Sequence, residues 1–199
     1  MSETGWRLAG LSAAEVWSRL AAEFARAAAS ARHPLHLVTL ATLAADGGPQ
    51  ARTVVLRGFD AERRVLWFHT DSRSPKAAAI ARDGRVALHW YDAAARLQIR
   101  ISAAAVLHHA DSVARAAWEA AQPMSRACYA SPTAPGTRLA AFLAAAPAPA
   151  AADDLGLAHF AVVRCRFTAV ELLALHASGH ERLLLLLAGP VPSGTILAP

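Results

Sequence analysis

Two arginines, Arg52 and Arg57, flank the apolar run Val54, Val55 and Leu56 in the stretch ARTVVLRGFD, residues 51–60. A half-buried strand needs its apolar residues for core contacts but has no structural use for a cation near each end. Further along, DSRSPKA opens a short helix, with Ser74 as cap, Pro75 in the first helical position and Gly84 after the last turn. The free amides and positive dipole end of such a helix start favour an anion, with Arg73 and Lys76 as flanking charges and Ser72 and Ser74 as hydroxyl donors. In isolation, Ser-Pro-Lys reads as a well-capped surface helix. The strand arginines just before it, the strand end WFHT leading into it and Gln98 on a neighbouring strand together point to one phosphorylated aromatic ligand. Arg52 shares a strand face with Val54 and Leu56, while Arg57 has opposite parity and adjoins Gly58, so the two would meet different parts of that ligand. Val54, Leu56 and either Trp67 or Trp90 would supply apolar wall.

The elements that must position these groups follow from pattern. Ser12 and Glu15 have capping-box spacing, and Val16, Leu20 and Phe24 repeat every fourth residue, which predicts an amphipathic helix over residues 12–31 within an N-terminal segment 1–31. Pro34 ends it. Strands follow: LHLVTLATLA from Leu35, the turn DGG at Asp46, QARTVVLRG, and RVLWFHT from Arg64 to Thr70, close enough to favour an antiparallel meander. After the Ser74 helix come RVALHWYD from Arg85 and LQIRISAAAVLH from Leu97, the latter alternating Gln98, Arg100 and Ser102 against Ile99 and Ile101. DSVARAAWEAAQP is helical up to Pro123, and GTRLAAFLAAA from Gly136 is a further helix candidate. The alanine- and proline-rich stretch 146–154 is a surface linker. HFAVVRCRFTAVELLAL and ERLLLLLAG are strands that must return to the same sheet, since about 40 residues make no core alone. The class is mainly β with peripheral helices, closing into a small barrel, and residues 1–199 form one domain.

Composition narrows the function classes. The 199 residues are 55% hydrophobic and 18% charged, which excludes a disordered chain. Cys128 and Cys165 are too few for a disulfide framework, no signal-peptide core opens the chain, and the longest aliphatic run, LLLLLAG, falls far short of the roughly 20 residues that span a bilayer. The expected setting is cytoplasmic, without membrane. A net charge of +5 raises nucleic acid as a partner, but the arginines are dispersed, so a solvated basic face or a site for one small anion is the reading. His108 and His109 point to opposite strand faces and Gly179 separates His176 from His180, so no metal is expected. P-loop, Rossmann and nucleophile-elbow fingerprints are absent. Trp17, Trp67, Trp90 and Trp118 read as core.

LATLAADGGPQARTVVLRGF, LWFHTDSRSPKAAAIARDGRVALHWY and RLQIRISAAA resemble, in that order, the pyridoxamine 5′-phosphate oxidase family of FMN-binding split barrels. The resemblance runs from Leu35 to Leu107 and returns in HER at His180 and the closing ILAP. It implies an FMN-binding split β-barrel in which Arg52, Thr53, Val54, Val55, Leu56 and Arg57 line the flavin, with Arg52 and Lys76 directed at its phosphate. His69 and Thr70 take the place of an aromatic-Thr pair, Ser74 sits in the phosphate turn, Gln98 bonds the flavin or its ribityl chain, and Arg182 is a C-terminal flavin contact. Arg57 and His180 are the implied substrate contacts, and a homodimer sharing FMN across its interface is the implied assembly.

The chain also departs from that family. Trp118 and Gln122 stand at about the positions of a Tyr and an Arg that hold substrate phosphate, and Ser178 stands where an Arg precedes the His. Pro75 replaces a basic residue, and Leu172 or Leu173 a tryptophan. Losing two charged phosphate contacts weakens such a substrate by about two to four powers of ten. The expected function is therefore a flavin-dependent oxidoreductase acting on an unknown small substrate, with pyridoxamine phosphate disfavoured and no residue assigned as catalytic acid or base. The alternatives are a non-catalytic flavin carrier or sensor, or a related barrel holding deazaflavin or haem.

Overall fold

A computed structural model describes residues 5–142 and 156–199. Helix α1 (Ala13–Ala29) starts at the Ser12 capping box and buries Val16, Leu20, Phe24 and Ala27, the stripe expected from their spacing. A 3-10 turn at Pro34–His36 then delivers the chain into strands β1 (Leu37–Leu43), β2 (Pro49–Asp60) and β3 (Val65–Asp71). Helix α2 (Pro75–Arg82) leads to β4 (Arg85–Asp92) and β5 (Leu97–His109). Helices α3 (Ser112–Ala120) and α4 (Pro123–Ala127) precede β6 (Phe160–Arg166), β7 (Ala169–Ala174), β8 (Glu181–Leu186) and β9 (Ser193–Leu197). No described helix is long and apolar enough to cross a membrane.

The sheet order β4-β1-β2-β3-β6-β5 closes on itself through β4–β5, and β7, β8 and β9 extend from β5. The barrel is split because two strands change partners along their length. β5 pairs β7 over Leu97–Arg100 and β6 over Ala104–His109. β2 pairs β1 up to Val55 but β3 only over Leu56–Asp60, across a bulge between Leu56 and Gly58. The β3-facing edge of residues 51–55 therefore has no ladder.

Alternation fills the barrel. Leu40, Leu56, Leu66, Phe68, Ile99, Ile101 and Cys165 face inward and are buried, and α1 closes one side with Phe24 against Phe59 and Trp90 at 5.3 and 5.2 Å. A satellite cluster of Trp118, Phe160, Val162 and Ala114 fastens α3 to the outside of β6.

Several expectations need correction. The expected meander holds for β1–β2–β3, and β4 then crosses to pair with β1 and β5. HFAVVRCRFTAVELLAL is two strands, since Phe167 and Thr168 turn the chain and spend their ladder groups on Arg64 and Leu187. Residues 136–142 carry no helix: Gly136 has φ 88° and Ala134 O accepts from Thr137, which makes a turn. The rest of that expected helix and the 146–154 linker lie outside the described residues.

Candidate functional site

Helix α2 packs against β1, the strand beside the open-edged part of β2. There Arg52, whose side chain shares the inward parity of Val54 and Leu56, bends over the barrel end. Its Nη1 donates to Thr42 Oγ1 at 2.7 Å, Leu40 O at 3.2 Å and Gln50 O at 3.3 Å, and its Nη2 to Gln50 Oε1 at 3.2 Å. Every one of those acceptors is neutral. Lys76 lies near enough that its pKa is lowered by burial first and by the Arg52 charge second, against a small opposing pull from Asp71. Burial lowers the Arg52 pKa too. Among the described residues neither cation has a carboxylate in salt-bridge contact, so two partly desolvated charges near enough to sense one another lack a counter-charge.

The turn that presents Lys76 is built from its own hydrogen bonds. Ser74 Oγ donates to Asp71 O at 2.7 Å and accepts from Ala77 N at 3.4 Å, and Thr70 Oγ1 lies 3.3 Å from Ser74 Oγ. Arg73 is clamped to Asp71, with Nη2 to Oδ2 at 2.7 Å and Nε to Oδ1 at 3.0 Å, and reaches Ser131 O and Pro132 O. Burial alone would raise the Asp71 pKa, but the Arg73 bonds outweigh it and hold the carboxyl below its usual range. Thus Arg73 and Ser74, read from sequence as free donors, hold the turn in shape. Thr70 and Ser74 are buried, and the cationic side chains remain as the anion contacts on offer.

Arg57 and His69 sit elsewhere. Arg57, next in alternation after inward Leu56, lies on the outer face, where it lines a cleft of about 790 Å³ between the end of α1 and the length of α3, with Trp67, His69, Gln122 and Arg164. His69 rests edge-on to Phe160 at 4.8 Å, and burial, aided by the Arg57 charge, pulls its pKa down to about 4. Val54 and Leu56 are core residues, so only their backbone can face a ligand, whereas Thr53 is exposed and Val55 half-buried on the outer face. Trp118 belongs to the satellite core, and half-buried Trp67 packs against that core and also forms cleft floor. Arg164, unforeseen, joins it there. Its signal was an arginine placed between buried Val163 and Cys165, and the long-range β3–β6 pairing that gives it meaning cannot be read from sequence.

The C-terminal residues form a third region. Arg182 donates to Glu171 Oε1 through Nε at 3.1 Å and Nη2 at 2.8 Å, and Arg100 Nη1 shares that oxygen at 3.3 Å. His180 is exposed, and its Nδ1 accepts from His176 N at 3.3 Å. Both line a separate cavity of about 450 Å³ with Leu8 and Ile196. Gln98 is half-buried on the outer face, opposite Leu173, which in turn opposes Arg182. Among the described residues no group of three His, Cys, Asp or Glu side chains could hold a metal ion.

Comparison with known proteins adds the following. The family model for the pyridoxamine 5′-phosphate oxidase FMN-binding domain matches residues 14–109. A pyridoxine/pyridoxamine 5′-phosphate oxidase of Alkalilimnicola ehrlichii is 42% identical over 76 residues, 37% of this chain and 38% of that one. The chain spans half or less of the length of the curated relatives it matches. A crystal structure of a pyridoxamine 5′-phosphate oxidase-related, FMN binding protein from Nostoc punctiforme superposes with a TM-score of 0.73 at 25% identity, covering 92% of this chain and 97% of that one. PhzG from Burkholderia lata, in complex with tetrahydrophenazine-1-carboxylic acid, shares the fold with a TM-score of 0.65 at 22% identity, over 93% and 90% of the two chains.

Proposed function

The chain belongs to the pyridoxamine 5′-phosphate oxidase-like family of split barrels, and from that premise we propose that it binds FMN and works as a flavin-dependent oxidoreductase. The observation that carries the proposal is the Arg52–Lys76 pair, two cations without a carboxylate in salt-bridge contact beside an unpaired strand edge. A phosphate there would accept charge-assisted hydrogen bonds from both. Thr53 and Val55 offer the open backbone edge to the polar rim of the ring system, and Arg57 holds a positive charge at the far end of the same strand. Thr70 and Ser74 keep the turn rigid, and His69 stays uncharged beside the ring. The bound flavin would supply hydride acceptance from a small substrate and return of the electrons to a second oxidant.

His180, Arg182 and Gln98 do not converge on Arg52 and Lys76 within one subunit. In our reading they serve the flavin of a second copy, so the working form is a homodimer with two shared sites. Exposed apolar residues on the sheet's outer face, Leu37 at 56% and Tyr91 at 52%, favour such a cover.

In this proposal Arg52→Ala and Lys76→Ala each weaken FMN binding roughly 10- to 100-fold, the worth of one charged hydrogen bond. Quenching of flavin fluorescence measures it, with circular dichroism confirming the fold. Unchanged affinity in both variants would sink the phosphate placement. A flavin carrier without turnover is the second reading, favoured by neutral Gln122 in the cleft and by Trp118 locked in the satellite core. Bleaching of the bound flavin by a reduced nicotinamide or an amine substrate excludes it, and the absorption spectrum of the purified protein separates flavin from deazaflavin or haem.

A further inference from the structure

Trp67 and Arg164 are directly opposed on β3 and β6, with the guanidinium carbon 5.8 Å from the ring centroid. The ring lies on bare backbone: a Cβ on Gly58 would come within 1.8 Å of it. Arg164 is exposed and, among the described residues, has no carboxylate partner and no side-chain hydrogen bond; the same holds for Arg57. As an exposed contact alone, a guanidinium at that distance contributes little. Its use lies in the cleft above, which alanines 116, 117 and 120 of α3 and Ala28 of α1 leave wide enough for a flat ring.

We infer that this cleft takes an aromatic carboxylate, its ring stacked on Trp67 and its carboxylate gripped by Arg164 with help from Arg57. The inference deepens the flavin reading by naming the class of molecule brought to the cofactor, and rests on that reading only for what happens to the molecule next. A planar guanidinium fork matches a carboxylate in two parallel hydrogen bonds, and one that overhangs the stacking surface reaches a group attached directly to a ring slid in at its edge. A phosphate on a longer arm would find less. The start of α3 borders the cleft, but Asp111 already accepts the Ala114 amide at 2.8 Å and brings a negative charge there. Gln122 and Ser125 are neutral, and Arg126 is spent on Glu119 O and Ala121 O at 2.7 and 3.0 Å. His69 adds no third cation at neutral pH.

The test is calorimetric titration of the purified protein, with and without added FMN, using 2-naphthoate, 2-naphthyl phosphate and uncharged 2-naphthalenemethanol. Naphthoate is expected to bind at least about tenfold more tightly than the alcohol and more tightly than the phosphate. Arg164→Leu should weaken naphthoate roughly 10- to 100-fold, with partial recovery in Arg164→Lys. No naphthoate binding, equal affinity for the alcohol, tighter binding of the phosphate, or an unaffected Arg164→Leu protein would each overturn the inference. Flavin fluorescence on the same samples separates the two readings. Arg164-dependent naphthoate binding in a protein that takes up no FMN sinks the flavin reading and keeps this one; FMN uptake without naphthoate binding does the reverse.

Discussion

At the scale of single residues, burial has placed two titratable groups where their charge states report on the site. The His69 pKa falls to about 4, through burial first and the Arg57 charge second, from an ordinary value of 6.5. Between those values the unfolded chain binds a proton that the native imidazole refuses, so native stability rises with pH across that interval and is lost as pH falls through it. The full shift is worth up to about 3 kcal/mol. Denaturant unfolding between pH 7 and pH 4 should therefore show a steeper loss for the wild type than for His69→Phe, and parallel profiles would contradict the buried neutral imidazole. Lys76 works in the opposite sense. Its pKa is lowered by burial and by Arg52, and an anion seated between the two favours the ammonium again. FMN affinity is thus expected to fall as pH rises through the lysine's lowered range, and Lys76→Arg, charged throughout, should flatten that profile.

Single elements carry the next level of control. Alternation turns Arg57 outward, and the β2 bulge sets Gly58 opposite Trp67 and leaves the ring its seat, so two adjacent residues set the cation and the floor of the cleft. Gly58→Ala forces the indole to move and should cost about 1 to 3 kcal/mol of stability in denaturant unfolding, the usual penalty for overfilling a packed site. A loss below about 0.5 kcal/mol would mean that the ring is not held there. Glycine beside a strand arginine was visible in the sequence; which ring it accommodates was not, because β2 meets β3 only through a register that no local pattern encodes. The same division runs through the chain. α1, α2, β4 and β5 were legible to within a residue or two, since capping residues and alternation are local signals. The turn at Phe167, the crossing of β4 to β1 and the pairing of β3 with β6 depend on closure of the barrel. For the candidate site, Arg52 and Lys76 followed from their neighbours, while the diversion of Arg73 to Asp71 and the presence of Arg164 in the cleft required the folded chain.

For the whole molecule, the decisive feature is that the candidate ligand contacts fall into groups that lie apart within one chain. Arg52 and Lys76 stand at the split of the barrel, and His180 and Arg182 line a cavity at β8 and β9. A homodimer joining the first group of one subunit to the second group of its partner makes two equivalent sites, each with residues from both chains. That arrangement has a consequence that a monomer or a dimer with self-contained sites lacks. Arg52→Ala and Arg182→Ala should each weaken FMN binding roughly 10- to 100-fold at both sites of their own homodimers. In a mixed dimer of the two variants, one site collects both alanines and the other keeps both arginines, so co-expression and purification with two different tags should restore about one tight FMN per dimer, as the symmetry of the exchange requires. Flavin absorbance against protein concentration reads that stoichiometry directly. No restored site, in a mixed species whose dimeric state light scattering confirms, would show that the contacts of each flavin come from one chain and that the β8–β9 cavity serves something else.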